Sequence, residues 1–121
     1  MRVIAFIALG FAACAGNGVP VKTIADSESS YKAAQAVEAE KVPQANLHLQ
    51  LAKEQMARAQ KLIEAKEYDR AEGALMRAKI DADLAYTIAI KEKTNKDAQA
   101  TLQKLAKVRE QAPTNNNTVN P

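Results

Sequence analysis

Few side chains in this sequence have the types and spacing that catalysis or metal binding requires. His48 is the only histidine, and the residues four positions away on a helix, Gln44 and Ala52, supply no carboxylate or second ligand. Asp81 and Asp83 are two residues apart, so a helix would point them to different faces, and we interpret both as solvated surface charges. The four glycines form no phosphate-binding loop. The sequence therefore predicts no enzyme active site, no metal site and no cofactor.

The only cysteine, Cys14, follows a segment that is typical of exported bacterial proteins. Arg2 precedes an uninterrupted run of apolar or small residues from Val3 to Ala13. A membrane-spanning helix needs about 20 such residues, so this run has the character of a signal peptide instead. Phe11-Ala12-Ala13-Cys14 resembles the lipobox of bacterial lipoproteins, in which the cysteine is acylated and becomes the first residue of the mature chain. The resemblance implies a signal peptide of residues 1–13 and a lipid on Cys14.

One position departs from the lipobox, because Phe11 stands where an aliphatic residue is usual. The alternative is a conventional cleavage site at Ala12-Ala13 or Ala13-Cys14-Ala15, followed by an incidental thiol. A lone cysteine forms no internal disulfide, and lipidation would remove a reactive thiol from an exported protein. By the usual sorting rule, Ala15 after the cysteine favours the outer membrane. We therefore expect an outer-membrane lipoprotein that faces the periplasm.

The charge of the chain favours no nucleic-acid partner. Its 17 basic and 14 acidic side chains give a net charge of +3, and the basic residues are interspersed with acidic ones. Proteins that bind nucleic acids concentrate basic charge on one face and often add stacking aromatics, whereas aromatics make up 4% of this chain. We interpret the pattern as the mixed surface of a helical domain.

A tether and a first helix are predicted after the cysteine. Residues 14–25 contain two glycines and a proline, which favours a flexible tether. Thr23-Ile24-Ala25-Asp26 has the spacing of a capping box, so we expect a helix from about Asp26 to Lys41. Val42-Pro43 ends this helix, since proline disfavours helical geometry in the preceding residue and suits the first turn of the next helix.

Apolar residues spaced by threes and fours predict two more helices. The second extends from about Gln44 to Lys66 and ends at Glu67-Tyr68-Asp69. Its apolar face consists of Ala45, Leu49, Ala52, Met56, Ala59, Leu62 and Ile63. The third has alanine at most core positions and continues to about Gln111; its apolar face consists of Ala71, Ala74, Leu75, Ala78, Ala82, Ala85, Ile88 and Ala89.

Three features of the third helix lead to further expectations. Glycine costs about 1 kcal/mol relative to alanine inside a helix, so Gly73 predicts the close approach of another helix. Lys91 to Asp97 contains no apolar residue, which leaves open both a kink and a continuous helix that overhangs the second helix beyond about Ile90. Ala98, Leu102, Leu105 and Ala106 then resume the helical spacing. Residues 112–121 have no periodicity and predict a disordered tail.

These elements predict an all-α fold, an antiparallel three-helix bundle in which an N-terminal helix joins a helical hairpin with a long third helix. The helical domain covers residues 26–111. Alanine side chains bury little area, so we expect support from self-association or from a protein partner. Tyr31, Tyr68 and Tyr86 are the candidate partner contacts; the alternative is that each packs at a helix margin with its hydroxyl in water.

A set of motifs resembles a known family. The motifs are Cys14 after a signal peptide, Pro43 before a leucine-containing helix, Glu67-Tyr68-Asp69-Arg70-Ala71 and Ala78-x-x-Asp81-Ala82-Asp83-Leu84-Ala85. Together they resemble the small bacterial lipoproteins of the domain-of-unknown-function family 4398. The resemblance covers roughly residues 14–107. It implies a helical domain on the outer membrane that faces the periplasm, and it supplies no catalytic residues.

The sequence thus predicts a non-enzymatic module of the bacterial cell envelope. We expect a helical domain that is anchored to the membrane through lipidated Cys14 and that acts as a structural or protein-interaction component. The alternative is a carrier or binding module for a small apolar or lipid ligand, held between poorly filled alanine-rich helices.

Overall fold

The structure, a computed structural model, describes residues 18–112 of the chain. The described residues form three α-helices and no strand: α1 (Val21–Ala36), α2 (Pro43–Glu64) and α3 (Tyr68–Gln111), with one 3₁₀ turn, Ala39–Lys41, between α1 and α2. Successive helices are antiparallel, and α3 packs along both α1 and α2, which contact each other little. The predicted all-α three-helix bundle with a long third helix is confirmed.

Helix α1 begins earlier than the capping-box pattern predicts. It starts at Val21, directly after Pro20, so residues 21–25 of the expected tether are helical. Thr23 lies inside the helix and caps nothing; its hydroxyl instead donates to Glu72 Oε1 of α3 at 3.3 Å. The prediction of a cap at Thr23 is therefore wrong, because a tertiary contact to α3 uses the hydroxyl that a cap would need.

The end of α1 also differs from the prediction. The helix ends at Ala36 rather than Lys41, and Glu38 adopts the left-handed conformation with φ 59°. The 3₁₀ turn then leads to Val42, which is extended, as a residue before proline tends to be. Pro43 is the first residue of α2, as expected from its missing N–H and fixed φ.

A Schellman motif separates α2 from α3. Lys66 is left-handed with φ 59°. The Glu67 N–H donates to the Leu62 carbonyl at 2.8 Å and the Lys66 N–H donates to the Ile63 carbonyl at 2.9 Å, which is the hydrogen-bond pattern of this motif. The turn is short, so α3 starts at Tyr68 and runs back antiparallel to α2.

Alanine forms most of the core. Every alanine predicted for the core of α3 is buried, and Leu49 and Leu75 are the only buried apolar side chains larger than alanine among residues 18–112. One cluster joins the end of α1 and the start of α2 to Ala85 and Ala89, and a second joins Ala59 to Ala74 and Leu75. Small side chains at the contacts allow the helix axes to approach closely.

Helix α3 is continuous through Thr94 and Asn95. Its 44 residues span roughly 66 Å, twice the length of α2, at about 1.5 Å per residue. Ala89 is its last buried residue, and every residue from 93 to 112 is exposed. The predicted overhang beyond Ile90 is therefore present. The expectation for Gly73 is wrong, because a Cβ at this position would meet nothing within 4 Å.

Candidate interaction surface

The predicted lipidation site lies outside the described residues. Cys14, the signal peptide of residues 1–13 and the tail beyond residue 112 all belong to the parts of the chain that the structure leaves out. The described domain begins at Gly18, a few residues after Cys14. Lipidation of Cys14 therefore stays a prediction from the sequence.

The three candidate tyrosines lie in different places and form no common site. Tyr31 is half-buried and packs against the cluster that contains Ala34 and Ala85. Tyr68 is the first residue of α3, and Tyr86 is 18 residues further along, or about 27 Å. Tyr86, with 41% of its surface exposed, is the most accessible of the three. The packing of Tyr31 favours the helix-margin interpretation for that residue.

A different set of side chains forms the most apolar exposed surface of α3. Gly73 and Thr87 lie on the side of α3 opposite the alanine core, each three residues from a large apolar side chain, Met76 and Leu84 respectively. Ile80 is 64% exposed and Leu105 is 60% exposed on this side. We call this surface the outer stripe; it consists of Met76, Ile80, Leu84, Leu102, Leu105 and Val108.

The overhang does not continue the apolar face of the bundle. Apart from Ala100, the helical positions that continue the line of Ala85 and Ala89 are occupied by polar residues, namely Glu92, Lys93, Lys96, Gln103 and Lys107. Leu102 and Leu105 resume the helical spacing that the sequence shows, but on the opposite side of the helix. Sequence reasoning missed the first half of the outer stripe because Met76, Ile80 and Leu84 fall outside the dominant alanine pattern.

A cleft of about 350 Å³ lies between the α1–α2 connection and α3. Its lining includes the Glu38–Lys41 ion pair and the Glu92–Lys96 pair, whose nitrogen and oxygen are 3.4 Å apart. The hydrogen bond from Lys41 lowers the pKa of Glu38, and the same bond raises the pKa of Lys41. The charged lining does not match an apolar ligand.

His48 and Asp81 form a polar contact between α2 and α3. His48 Nδ1 lies 3.1 Å from Asp81 Oδ1, and the two side chains are 22% and 25% exposed. The sequence shows no partner for His48 on its own helix, and Asp81 lies 33 residues away on the neighbouring helix. The interpretation of Asp81 as a solvated surface charge is wrong, because its side chain is half-buried and contacts His48. Asp83 points to the other side, towards Lys79 and Ser30, as the helical spacing predicts.

The His48–Asp81 pair links the helices and has no further ligand-type residues around it in the described range. Among residues 18–112, no three histidine, cysteine or acidic side chains cluster as a metal site requires. A histidine oriented by a carboxylate becomes a catalytic base only beside a group from which it can take a proton. We interpret the pair as a structural contact that fixes the register of α2 on α3.

Comparison of the chain with protein-family models, with curated proteins and with solved structures gives no match. In the part of the chain that the structure describes, no helix combines the length and the apolar character needed to cross a membrane.

Proposed function

We propose that this protein is a non-enzymatic, lipid-anchored helical module of the bacterial cell envelope, which faces the periplasm and binds a protein partner through α3. The observation that carries the interaction role is the outer stripe. Large apolar side chains are exposed along a 44-residue helix of which the last 20 residues, 92–111, extend past the buried core. Exposed apolar patches of this kind mark interaction sites in soluble domains.

The anchor is supported by the sequence around Cys14. A lipobox-like segment ends in the only cysteine, and the described domain begins soon after it. A single acyl chain gives marginal membrane binding, whereas the two or more chains of a lipoprotein give stable attachment. The family resemblance through Pro43 and the Glu67–Ala71 motif agrees with this role, and we propose membership of that family on the same residues.

The carrier function has less support. Alanine side chains fill the helix contacts, and the cleft beside the α1–α2 connection is lined by Glu38, Lys41, Glu92 and Lys96. An apolar ligand would leave these charges without water, which is costly.

Two measurements test the proposed function in the native host. First, Cys14→Ala should move the protein from the membrane to the soluble fraction, while Ala15→Ser, which keeps the cysteine, should leave it membrane-bound. Mass spectrometry of the membrane form should find Cys14 as the first residue, carrying a diacylglyceryl group, with or without an N-acyl chain. A Cys14→Ala variant that remains fully membrane-bound would refute the anchor.

The second measurement tests the interaction surface. Leu105→Glu places a charge in the outer stripe, whereas Lys107→Glu makes a comparable change on the opposite side of the same exposed helix. Crosslinking in intact envelopes should join this protein to its partner. The crosslinked product should be lost in the Leu105→Glu variant and kept in the Lys107→Glu variant. Equal product yields in both variants would contradict a role for the outer stripe.

A further inference from the structure

We propose that the outer stripe binds a second copy of this chain, with the two α3 helices antiparallel. The proposal rests on the interaction surface of the proposed function and names its partner, but it does not depend on the lipid anchor. The outer stripe has two apolar halves, one on the back of the bundle around Ile80 and one on the overhang around Leu105. Between them lie Lys91 and Thr94, which interrupt the apolar surface.

The spacing of the two halves fits an antiparallel pair. When Ile80 of one helix lies opposite Leu105 of the other, the apolar residues four positions before and after Ile80 also lie opposite apolar residues, three positions from Leu105. In this register Leu84 faces Leu102 of the second copy, and Met76 faces Val108. The two-fold symmetry repeats the same three contacts at the other end, so all six members of the outer stripe are covered.

Charges at one edge of the outer stripe favour this register over its neighbours, whereas at the other edge Arg77 lies beside Arg109 of the second copy, a like-charge pair that weakens the dimer. The register places Asp83 beside Lys104 of the second copy, which are opposite charges. A shift of one helix by seven residues in one direction would place Asp97 of one chain against Asp97 of the other. A shift of seven residues in the other direction would place Asp83 of each chain against Asp97 of the other. Opposing like charges penalise wrong registers in helix pairs.

A parallel pair is disfavoured by the same residues. In a parallel, in-register pair, Lys91 would face Lys91 of the second copy at the centre of the contact, and Lys104 would lie near Arg109. In the antiparallel pair, Lys91 faces Thr94 instead.

The overhang gives the second copy room to dock. Residues 93–112 are exposed all round the helix, so this segment can lie along the back of α3 of the other bundle without meeting α1 or α2. The overlap from Met76 to Val108 is roughly 50 Å long and about 10 Å wide, so the pair buries on the order of 1,000 Å² in total. This area is at the lower limit of specific interfaces, and we expect a reversible dimer whose population depends on protein concentration.

Disulfide trapping tests the orientation. All variants carry Cys14→Ser in the full chain, so that each introduced cysteine is the only thiol. A mixture of the Ile80→Cys and Leu105→Cys proteins should form a covalent dimer under mild oxidation, whereas each protein alone should not. A mixture of Ile80→Cys with Lys107→Cys is the matched control and should stay uncrosslinked. Efficient crosslinking of Leu105→Cys with itself would refute the antiparallel arrangement.

Sedimentation and charge-reversal variants test whether the dimer forms. The purified chain should sediment as a concentration-dependent mixture of monomer and dimer. Asp83→Lys and Lys104→Asp should each weaken the dimer several-fold, and the two changes combined in one chain should restore it. Far-ultraviolet circular dichroism of dilute samples should show that each single variant is helical and unfolds cooperatively, with a lower melting temperature for Asp83→Lys because it loses the contacts with Lys79 and Ser30. A monomer at every concentration would overturn the proposed dimer. That result would not affect the lipid anchor or the binding of a different protein, since both are measured in the native envelope.

Discussion

Ala82 provides the sharpest test of the alanine core. It has no exposed surface, and it lies on α3 between Asp81, which contacts His48 on α2, and Asp83, which contacts Ser30 on α1. The Ala82 side chain therefore faces the space that the three helices share. Ala82→Leu would add three carbon atoms at a fully buried position, and overpacking of this kind costs about 1–3 kcal/mol.

The expected loss is measurable by thermal unfolding. In a domain of this size, 1 kcal/mol shifts the melting temperature by about 4–8 °C, so Ala82→Leu should lower it by roughly 4–24 °C. Circular dichroism in the far ultraviolet, at low protein concentration, is a suitable assay because the described domain is almost entirely helical.

The matched control is Ala100→Leu, the same substitution at an exposed position of the same helix. Alanine and leucine have similar helix propensities, so this variant should melt within a few degrees of the parent. A melting temperature for Ala82→Leu that equals or exceeds that of Ala100→Leu would show that the helices can separate at no cost. The explanation of the alanine content by close helix approach would then be wrong.

Three further predictions concern individual contacts. Gly73→Ala should stabilise the domain by about 1 kcal/mol, because the new Cβ meets nothing within 4 Å and alanine is the better helix former; an unchanged or lower melting temperature would contradict this. A double-mutant cycle of His48→Ala and Asp81→Asn should give a coupling free energy of about 0.5–1.5 kcal/mol in urea unfolding, whereas additive effects would mean that the contact contributes nothing. Partial burial alone would raise the pKa of Asp83, but hydrogen bonds from Lys79 and Ser30 outweigh it and lower the pKa. A lowered folded-state pKa stabilises the domain above the ordinary carboxyl pKa of about 4, and this stabilisation is lost as the pH falls through the folded-state value. Asp83→Asn should therefore reduce the acid-induced fall in melting temperature, and an unchanged pH profile would refute the assignment.

The sequence predicted the buried faces of α2 and α3 well. Ala45, Leu49, Ala52 and Ala59 are buried on α2, and the six predicted core alanines are buried on α3. Hydrophobic periodicity carries this information because burial of one stripe is what selects the helix and its orientation. Pro43 also predicted the start of α2, since its missing N–H and fixed φ act locally.

Helix ends were predicted less well where tertiary contacts compete with local patterns. Thr23 has the sequence of a cap, but its hydroxyl contacts Glu72, 49 residues away, and α1 extends back to Val21. At the other end of α1, left-handed Glu38 stops the helix before Lys41, although glutamate has no intrinsic preference for that conformation.

The sequence and the tertiary structure each contributed to the identification of the candidate surface. The sequence by itself determined the composition of α3, its small core residues, its polar segment at Lys91–Asp97 and the apolar residues beyond it. The alanine pattern predicted the covered side of α3, and only the tertiary structure decided that α1 and α2 leave the opposite side uncovered, so that Ile80 and Leu105 are both exposed there. The physical reason is that a helical period fixes the angles between residues on one helix, whereas exposure depends on where the neighbouring helices end. Within residues 18–112, the ends of α1 and α2 leave the last 20 residues of α3, 92–111, without a tertiary neighbour beyond the cleft at its start.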